Sequence, residues 1–256
     1  MSKHDVLTES DVDSGGCNPG LWDIIENLAR RRGVPLSDIR VLDWGSGRGV
    51  TVARLRKKGI QAYGVEIDPL PFNNGMEFLK SRGWDGYVHL IGEDFKAPFP
   101  DGEFDIVFTE AVMEHVSDAG AVIDEMCRIT GPGGEHYHEF PAKYHPREGH
   151  LNMPFVHWLP KNRLRYLLIR LYVQAGIEPR WAGTENETPS QKARRYYDYS
   201  IRKTYYRSAG YLGKLYEIRG YSVEIKESRS FHRFLGLSFS MPSWCTMHCV
   251  NRGVSV

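Results

Sequence analysis

The sequence predicts an α/β chain: a doubly wound, mostly parallel sheet of seven strands with a helical cap inserted after the fifth strand. Three observations predict it. Short apolar runs alternate with helical patterns from Arg40 to Phe140, as expected of right-handed βαβ units with helices on both faces of a sheet. The first run ends in a glycine-rich turn that opens a helix, and ligands of such sheets gather at the carboxyl ends of the strands. From Pro141 to about Tyr205 the strand signal disappears, and aromatic, His and basic residues take over.

Each element has its own warrant. Leu21, Ile24, Ile25 and Leu28 recur at helical spacing up to Gly33, so Leu21 to Arg32 reads as a leading helix. Arg40 to Trp44 is the first strand, Val50 to Lys58 a helix closed by Gly59, and Gln61 to Ile67 the second strand. Phe72 to Ser81 reads as helix, Tyr87 to Ile91 as a short third strand, and Phe104 to Thr109 as a buried fourth. Ala119 to Ile129 is a helix, and the fifth strand, Glu135 to Phe140, follows the Gly131-Pro132-Gly133-Gly134 turn. Within the cap, Leu164, Leu167, Leu168 and Leu171 form one helical stripe, expected to pack against the core rather than lie on a membrane. Thr204 to Arg219 reads as a helix closed by Gly220, then Tyr221 to Lys226 and Trp244 to Val250 as the last strands. The expected organisation is a disordered or loosely ordered segment 1–20 and one domain, 21–256, carrying 141–205 as a substrate cap.

Composition narrows the function. With 256 residues, 41% hydrophobic and 25% charged, the chain can bury one large core. A formal net charge of +1 gives no global attraction to nucleic acid or anionic membrane, so any such preference must be local. The polar, acidic start is not expected to be a signal peptide, and no apolar run approaches the roughly 20 residues that span a bilayer. Cys17, Cys127, Cys245 and Cys249 contain no CxxC pair. On one strand Cys245 and Cys249 would stand about 13 Å apart, too far for a disulfide. A reduced, cytoplasmic setting is expected.

The most specific stretch is Val41-Leu42-Asp43-Trp44-Gly45-Ser46-Gly47-Arg48-Gly49. Glycines at alternate positions allow positive φ and let backbone approach a ligand with no Cβ between them. The spacing differs from Gly-x-Gly-x-x-Gly and from the phosphate-binding Gly-x4-Gly-Lys-Ser/Thr loop. Gly64-Val65-Glu66-Ile67-Asp68 follows at the end of the second strand, then Gly92-Glu93-Asp94-Phe95, Pro98 to Asp105, Glu114-His115-Val116 and Arg128-Ile129-x-x-Pro132-Gly133-Gly134.

This ordered set resembles the class I S-adenosylmethionine-dependent methyltransferases, in their type-11-like, small-molecule branch, over roughly Leu21 to Phe140. The resemblance implies a Rossmann-like fold and S-adenosylmethionine as cofactor. It places the cofactor against Asp43, Gly45, Ser46, Gly47, Gly49, Glu66, Ile67, Asp94, Phe95 and Glu110. Gly45 and Gly47 would approach the amino-acid part, with Asp43 orienting the loop. Glu66 would accept both ribose hydroxyls, since two carboxylate oxygens match a vicinal diol. Asp94 would receive the adenine amine beside Phe95.

Methyl transfer from a sulfonium is an in-line displacement, so the protein mainly positions the acceptor and, where needed, removes its proton. The expected catalytic residues are His138, His115 and Glu114. His138 and His136 alternate on the fifth strand, and one is expected on each sheet face. Some quinone and RNA-end methyltransferases use a Glu-x-x-Glu-His metal cluster; here Glu110 and Glu114 are four apart, so no metal is expected, although Glu114, His115 and a cap histidine together remain a conceivable ligand set.

The cap should choose the substrate. From Lys143 to Lys214 basic side chains greatly outnumber acids, which suits an anionic acceptor. His145, His150, His157, Arg194, Arg195 and Tyr199 are the expected substrate contacts. The reading is O-methylation of a small or saccharide-type acceptor with anionic groups, lipid-linked at a membrane surface in one version. Two alternatives stand beside it. A nucleic-acid methyltransferase is disfavoured because Thr109-Glu110-Ala111-Val112 is not the motif that holds a flipped adenine and no Pro-Cys nucleophile appears, so no stable nucleic-acid partner is expected. A cofactor-binding protein without turnover is the other.

Overall fold

The computed structural model describes residues 6–234 and 237–252. Its sheet has seven strands in the order β3-β2-β1-β4-β5-β7-β6. The strands are β1 (Arg40–Trp44), β2 (Gln61–Glu66), β3 (Val88–Leu90), β4 (Phe104–Glu110), β5 (Thr130–Pro141), β6 (Tyr221–Phe234) and β7 (Leu237–Asn251). The first five run parallel; β7 is antiparallel to both β5 and β6. The chain leaves β1 toward β2 and β3, then returns to β4 on the other side of β1. That reversal makes the carboxyl ends of β1 and β4 the switch point where such sheets open a crevice.

Both faces of the sheet are covered. Val41, Ile106 and Phe108 join the helices α2 (Pro19–Arg32), α3 (Val50–Lys57) and α4 (Pro69–Ser81) in one cluster. Their neighbours Leu42 and Val107 join α5 (Ala119–Ile129) and α8 (Ala209–Glu217) in another. Adjacent strand residues point to opposite faces, which is why these strands read as continuous apolar runs.

Several boundaries move for local reasons. The fifth strand starts at Thr130, paired with Phe104, and the glycine-rich turn is an irregularity inside it. The last helix starts at Ala209 because the Ser208 side chain caps it by accepting from the Tyr211 amide, while Arg207 donates to the carbonyls of Val116 and Ser117. Residues 6–20, expected to be loosely ordered, are built in. Thr8 and Asp11 form a reciprocal capping box on α1 (Glu9–Asp13), and Leu7 and Val12 are buried.

The cap carries α6 (Arg163–Gln174) and α7 (Pro189–Arg202), packed together around Met153, Val156, Ile169, Val173 and Tyr196. Of the leucine stripe expected to face the core, only Leu168 is half-buried, against the cap cluster. Leu164, Leu167 and Leu171 are 54%, 52% and 61% exposed. The buried face of α6 is Arg165, Ile169 and Val173, because the Arg165 guanidinium reaches inward to the carbonyls of Leu159 and Ser200. Among the described residues no helix is long and apolar enough to cross a membrane.

Candidate active site

At the end of β1 the glycine turn has the predicted conformation: φ is 82° at Gly45, 55° at Gly47 and 79° at Gly49, values costly for residues with a Cβ. The amides of Gly45 and Ser46 donate to the Val65 carbonyl (2.8 and 2.9 Å), folding the turn across β2. A Cβ on Gly45 would stand 2.5 Å from Val112 Cγ2, so the segment after β4 lies directly on the turn. Gly49 opens α3.

Glu66, the last residue of β2, is buried and held by three amides. Gly47 donates to Oε2 at 2.7 Å, Ile67 and Asp68 to Oε1 at 2.8 Å each. Each oxygen keeps acceptor capacity for a ligand. Asp43 is buried beside it, and burial, then the charges of Glu110 and Glu66, push its carboxyl up to about 8. Asp94 is exposed on the loop after β3, with Phe95 left-handed (φ 57°) and half-buried. Ile91 still donates to the Glu66 carbonyl, which keeps that loop alongside β2. Ile67 is exposed at the end of β2 and Glu110 ends β4, where burial and the Glu139 charge raise its pKa. All the residues expected at the cofactor thus lie along one edge, at the carboxyl ends of β1 to β4.

The expected catalytic trio separates. His138 is fully enclosed: Nδ1 is 2.8 Å from Thr109 Oγ1, Nε2 is 2.7 Å from the Tyr216 hydroxyl, and burial, then His248, depresses its pKa to about 3. His136 meets the same hydroxyl at 2.9 Å. Residues two apart share a sheet face, so both rings point into the α5–α8 core and the expectation of one per face is corrected. His138 is a core residue, both ring nitrogens taken up by hydroxyls.

Glu114 and His115 meet a third residue from the cap. Past β4, Ala111 is left-handed (φ 53°) and bonds back to the Glu139 carbonyl at 2.8 Å. The chain then turns, His115 donating to the Val112 carbonyl at 2.8 Å. Glu114 is 3% exposed, and neither carboxylate oxygen has a hydrogen-bond partner among the described residues. Burial pushes its pKa up to about 7. His115 Nε2 lies 4.0 Å from Glu114 Oε1 and 3.1 Å from His150 Nε2; burial lowers the His115 pKa.

His150 is placed by a loop that Glu148 organises. The buried Glu148 carboxylate accepts from the Leu151 amide, from the Tyr206 hydroxyl at 2.7 Å and from His150 Nδ1 at 3.0 Å. The Glu148 amide donates to Met153, and Arg147 pairs with Pro154. Burial opposes the charged imidazolium of His150, yet Glu148 and Glu114 outweigh it and raise its pKa. Tyr199 stands beside the ring, centroids 5.7 Å apart.

His145 and His157 line a neighbouring cavity of about 330 Å³, with Arg147, Tyr206 and Trp244. Burial pushes His157 down to about 4. The Arg147 guanidinium there is tied to the Asn152 side-chain oxygen at 2.9 Å. Arg194 and Arg195 are not brought to this region as expected: they are exposed on α7, paired with Asp198 and Glu187. Helical spacing and neighbouring acids make them a solvated face.

The sequence reading gave no role to Glu148 or Asn18. Asn18 caps α2 and donates to Glu139 at 2.9 Å, bringing the N-terminal segment over the ends of β4 and β5. Arg48 and Arg54 hold that segment through the carbonyls of Val6, Asp11, Val12 and Gly16. The Asn18-Pro19 start signal was readable; Glu148 carried none.

Comparison with known proteins agrees with this geometry. Residues 42–137 match the family model described as a methyltransferase domain. An uncharacterized methyltransferase of Mycobacterium sp. (strain JLS) is 29% identical over 181 residues, 58% of this chain and 69% of that one. Norajmaline N-methyltransferase of Rauvolfia serpentina is 35% identical over 95 residues, 36% of this chain, and the match spans only 32% of that protein. Among solved structures, a SAM-dependent methyltransferase from Methanosarcina mazei superposes with a TM-score of 0.57 at 16% identity, covering 93% of this chain and 99% of that one; this likeness speaks for the fold. Residues 42–137 thus match a methyltransferase domain, and the glycine turn, the acid-ended second strand and the fold around them are similar to those of the S-adenosylmethionine-dependent methyltransferases.

Proposed function

We propose that the chain O-methylates a small acceptor bearing anionic groups, of which an acidic or phosphorylated sugar is the chemical class that fits best. The observation that carries this is the Glu114–His115–His150 cluster, which stands between the segment covering the glycine turn and a cavity lined by a cation and aromatic rings. Glu66, already fixed by three amides, accepts the ribose hydroxyls; Asp43 and the Gly45 and Gly47 backbone face the amino-acid part; Asp94 and Phe95 bound the adenine. S-adenosylmethionine supplies the electrophilic methyl group.

The remaining work is on the acceptor. Arg147 offers an anion a charge-assisted hydrogen bond, and Trp244 and Tyr206 offer faces for a sugar ring. The imidazole lone pairs of His115 and His150 lie where a hydroxyl can lose its proton, with Glu148 orienting His150 from behind. A lipid-linked version of this acceptor has its own support: Leu164, Leu167 and Leu171 are exposed on the helix that also exposes Arg163 and Arg170, an apolar stripe with cations beside it.

The test is transfer of labelled methyl from S-adenosylmethionine to acidic, phosphorylated and neutral sugars and to RNA. Turnover on the anionic sugars is expected, with His150→Ala lowering kcat by about a hundredfold or more while cofactor affinity holds. Turnover on RNA alone would overturn the acceptor class.

A further inference from the structure

We infer that Glu114, His115 and His150 form a binding site for a divalent first-row transition-metal ion. The argument starts from where the imidazole protons must be. Nδ1 of His115 is 2.6 Å from the Lys203 carbonyl oxygen, and Nδ1 of His150 is 3.0 Å from the Glu148 carboxylate. Each contact needs an N–H on Nδ1, because both partners are acceptors. In the neutral rings both Nε2 atoms therefore carry lone pairs, and these two atoms face each other at 3.1 Å. Two lone pairs at that distance call for a cation between them.

A proton would satisfy the imidazole pair and nothing else. Glu114 would still keep two buried, unpartnered oxygens, one of them 4.0 Å from His115 Nε2, and an ionised carboxylate without a partner is costly to bury. A metal ion answers all three groups. One donor atom from each of the three residues lies within 4.8 Å of the others, and metal–nitrogen bonds of about 2.0–2.1 Å set neighbouring ligands roughly 3.0–3.4 Å apart. Two imidazoles and one carboxylate suit zinc, manganese, iron or cobalt better than magnesium or calcium. Glu148 and the Lys203 carbonyl hold the rings from behind, as outer partners of metal-bound histidines do.

The sequence left Glu114, His115 and a cap histidine as a conceivable set, and the fold makes that histidine His150. Ion binding stands on these donors alone. With the ion bound, the two Nε2 atoms are its ligands and no longer proton acceptors; its service to catalysis, in which it would take the acceptor oxygen and make its O–H acidic, replaces that step and rests on the acceptor reading above.

The test uses the full chain, stripped with a chelator and returned to buffer. Zinc is titrated by calorimetry and cobalt(II) by visible absorption. One equivalent is expected, with the ligand-field bands of nitrogen-ligated cobalt. His150→Ala and Glu114→Gln should each weaken binding more than about 100-fold, and Glu148→Ala about 10–100-fold. Retained S-adenosylhomocysteine binding by each variant shows that it is folded. Absence of stoichiometric binding, or binding indifferent to His150→Ala in a folded variant, would overturn the inference. Stoichiometric metal with no transfer to any anionic sugar would support the site and count against the acceptor reading alone.

Discussion

Four histidines near the ends of β4 and β5 show how one residue type takes two fates. His136 and His138 are enclosed with hydroxyl partners, while His115 and His150 turn their Nε2 atoms toward each other beside Glu114. The enclosed pair has a thermodynamic signature. His138 titrates near 6.5 when unfolded and is held near 3 in the fold by burial and then His248. Between those values the unfolded chain binds the extra proton, so the contribution of His138 is complete above pH 6.5 and is lost as pH falls toward 3. From pH 6.5 to 5 the expected loss is about 2 kcal/mol. Urea unfolding at both pH values measures it. His138→Asn should be less stable at neutral pH yet show a flatter dependence; the same dependence as wild type would contradict the assignment. The misreading of His138 was one of parity, since residues 136 and 138 must share a face. Asp43 to Gly49 and Glu66 were legible because their geometry is local: a strand end, a turn and an acid closing the next strand. The role of Glu148 was not, because its burial beside His150 depends on Tyr206, 58 residues further along the chain.

At the scale of elements, periodicity revealed α6 but not which side it buries. A leucine stripe and an inward arginine compete, and Arg165 wins because two backbone carbonyls receive it. The exposed stripe predicts that the protein sediments with anionic vesicles more than with neutral ones, and that Leu164→Ser with Leu167→Ser and Leu171→Ser abolishes this without lowering the melting temperature. Equal recovery with both vesicle types would remove the membrane-surface version. The N-terminal segment was misjudged for a similar reason. Its polar composition concealed a capping box and two anchors, Leu7 and Val12, which α1 buries against its neighbours. Arg48, inside the glycine turn, donates to the Val6 carbonyl, so loss of residues 1–14 should speed amide exchange at 45–50 and weaken cofactor binding several-fold. Unchanged exchange there would mean the segment does not brace the turn.

The whole molecule follows from one topological fact. The reversal between β1 and β4 opens the sheet edge, the glycine turn and Glu66 line one side of the opening, and the cap loop brings His150 to the other. That division explains why the cofactor half was readable in order along the chain and the acceptor half was not. The central claim, that S-adenosylmethionine lies on the turn with its ribose on Glu66, is tested most directly by calorimetry of S-adenosylhomocysteine and its 2′-deoxy analogue against wild type and Glu66→Ala. Wild type should prefer the parent compound by about tenfold or more, since a buried charge-assisted hydrogen bond is at stake, and Glu66→Ala should bind both weakly and equally. A Glu66→Ala variant that keeps the wild-type preference would contradict the account.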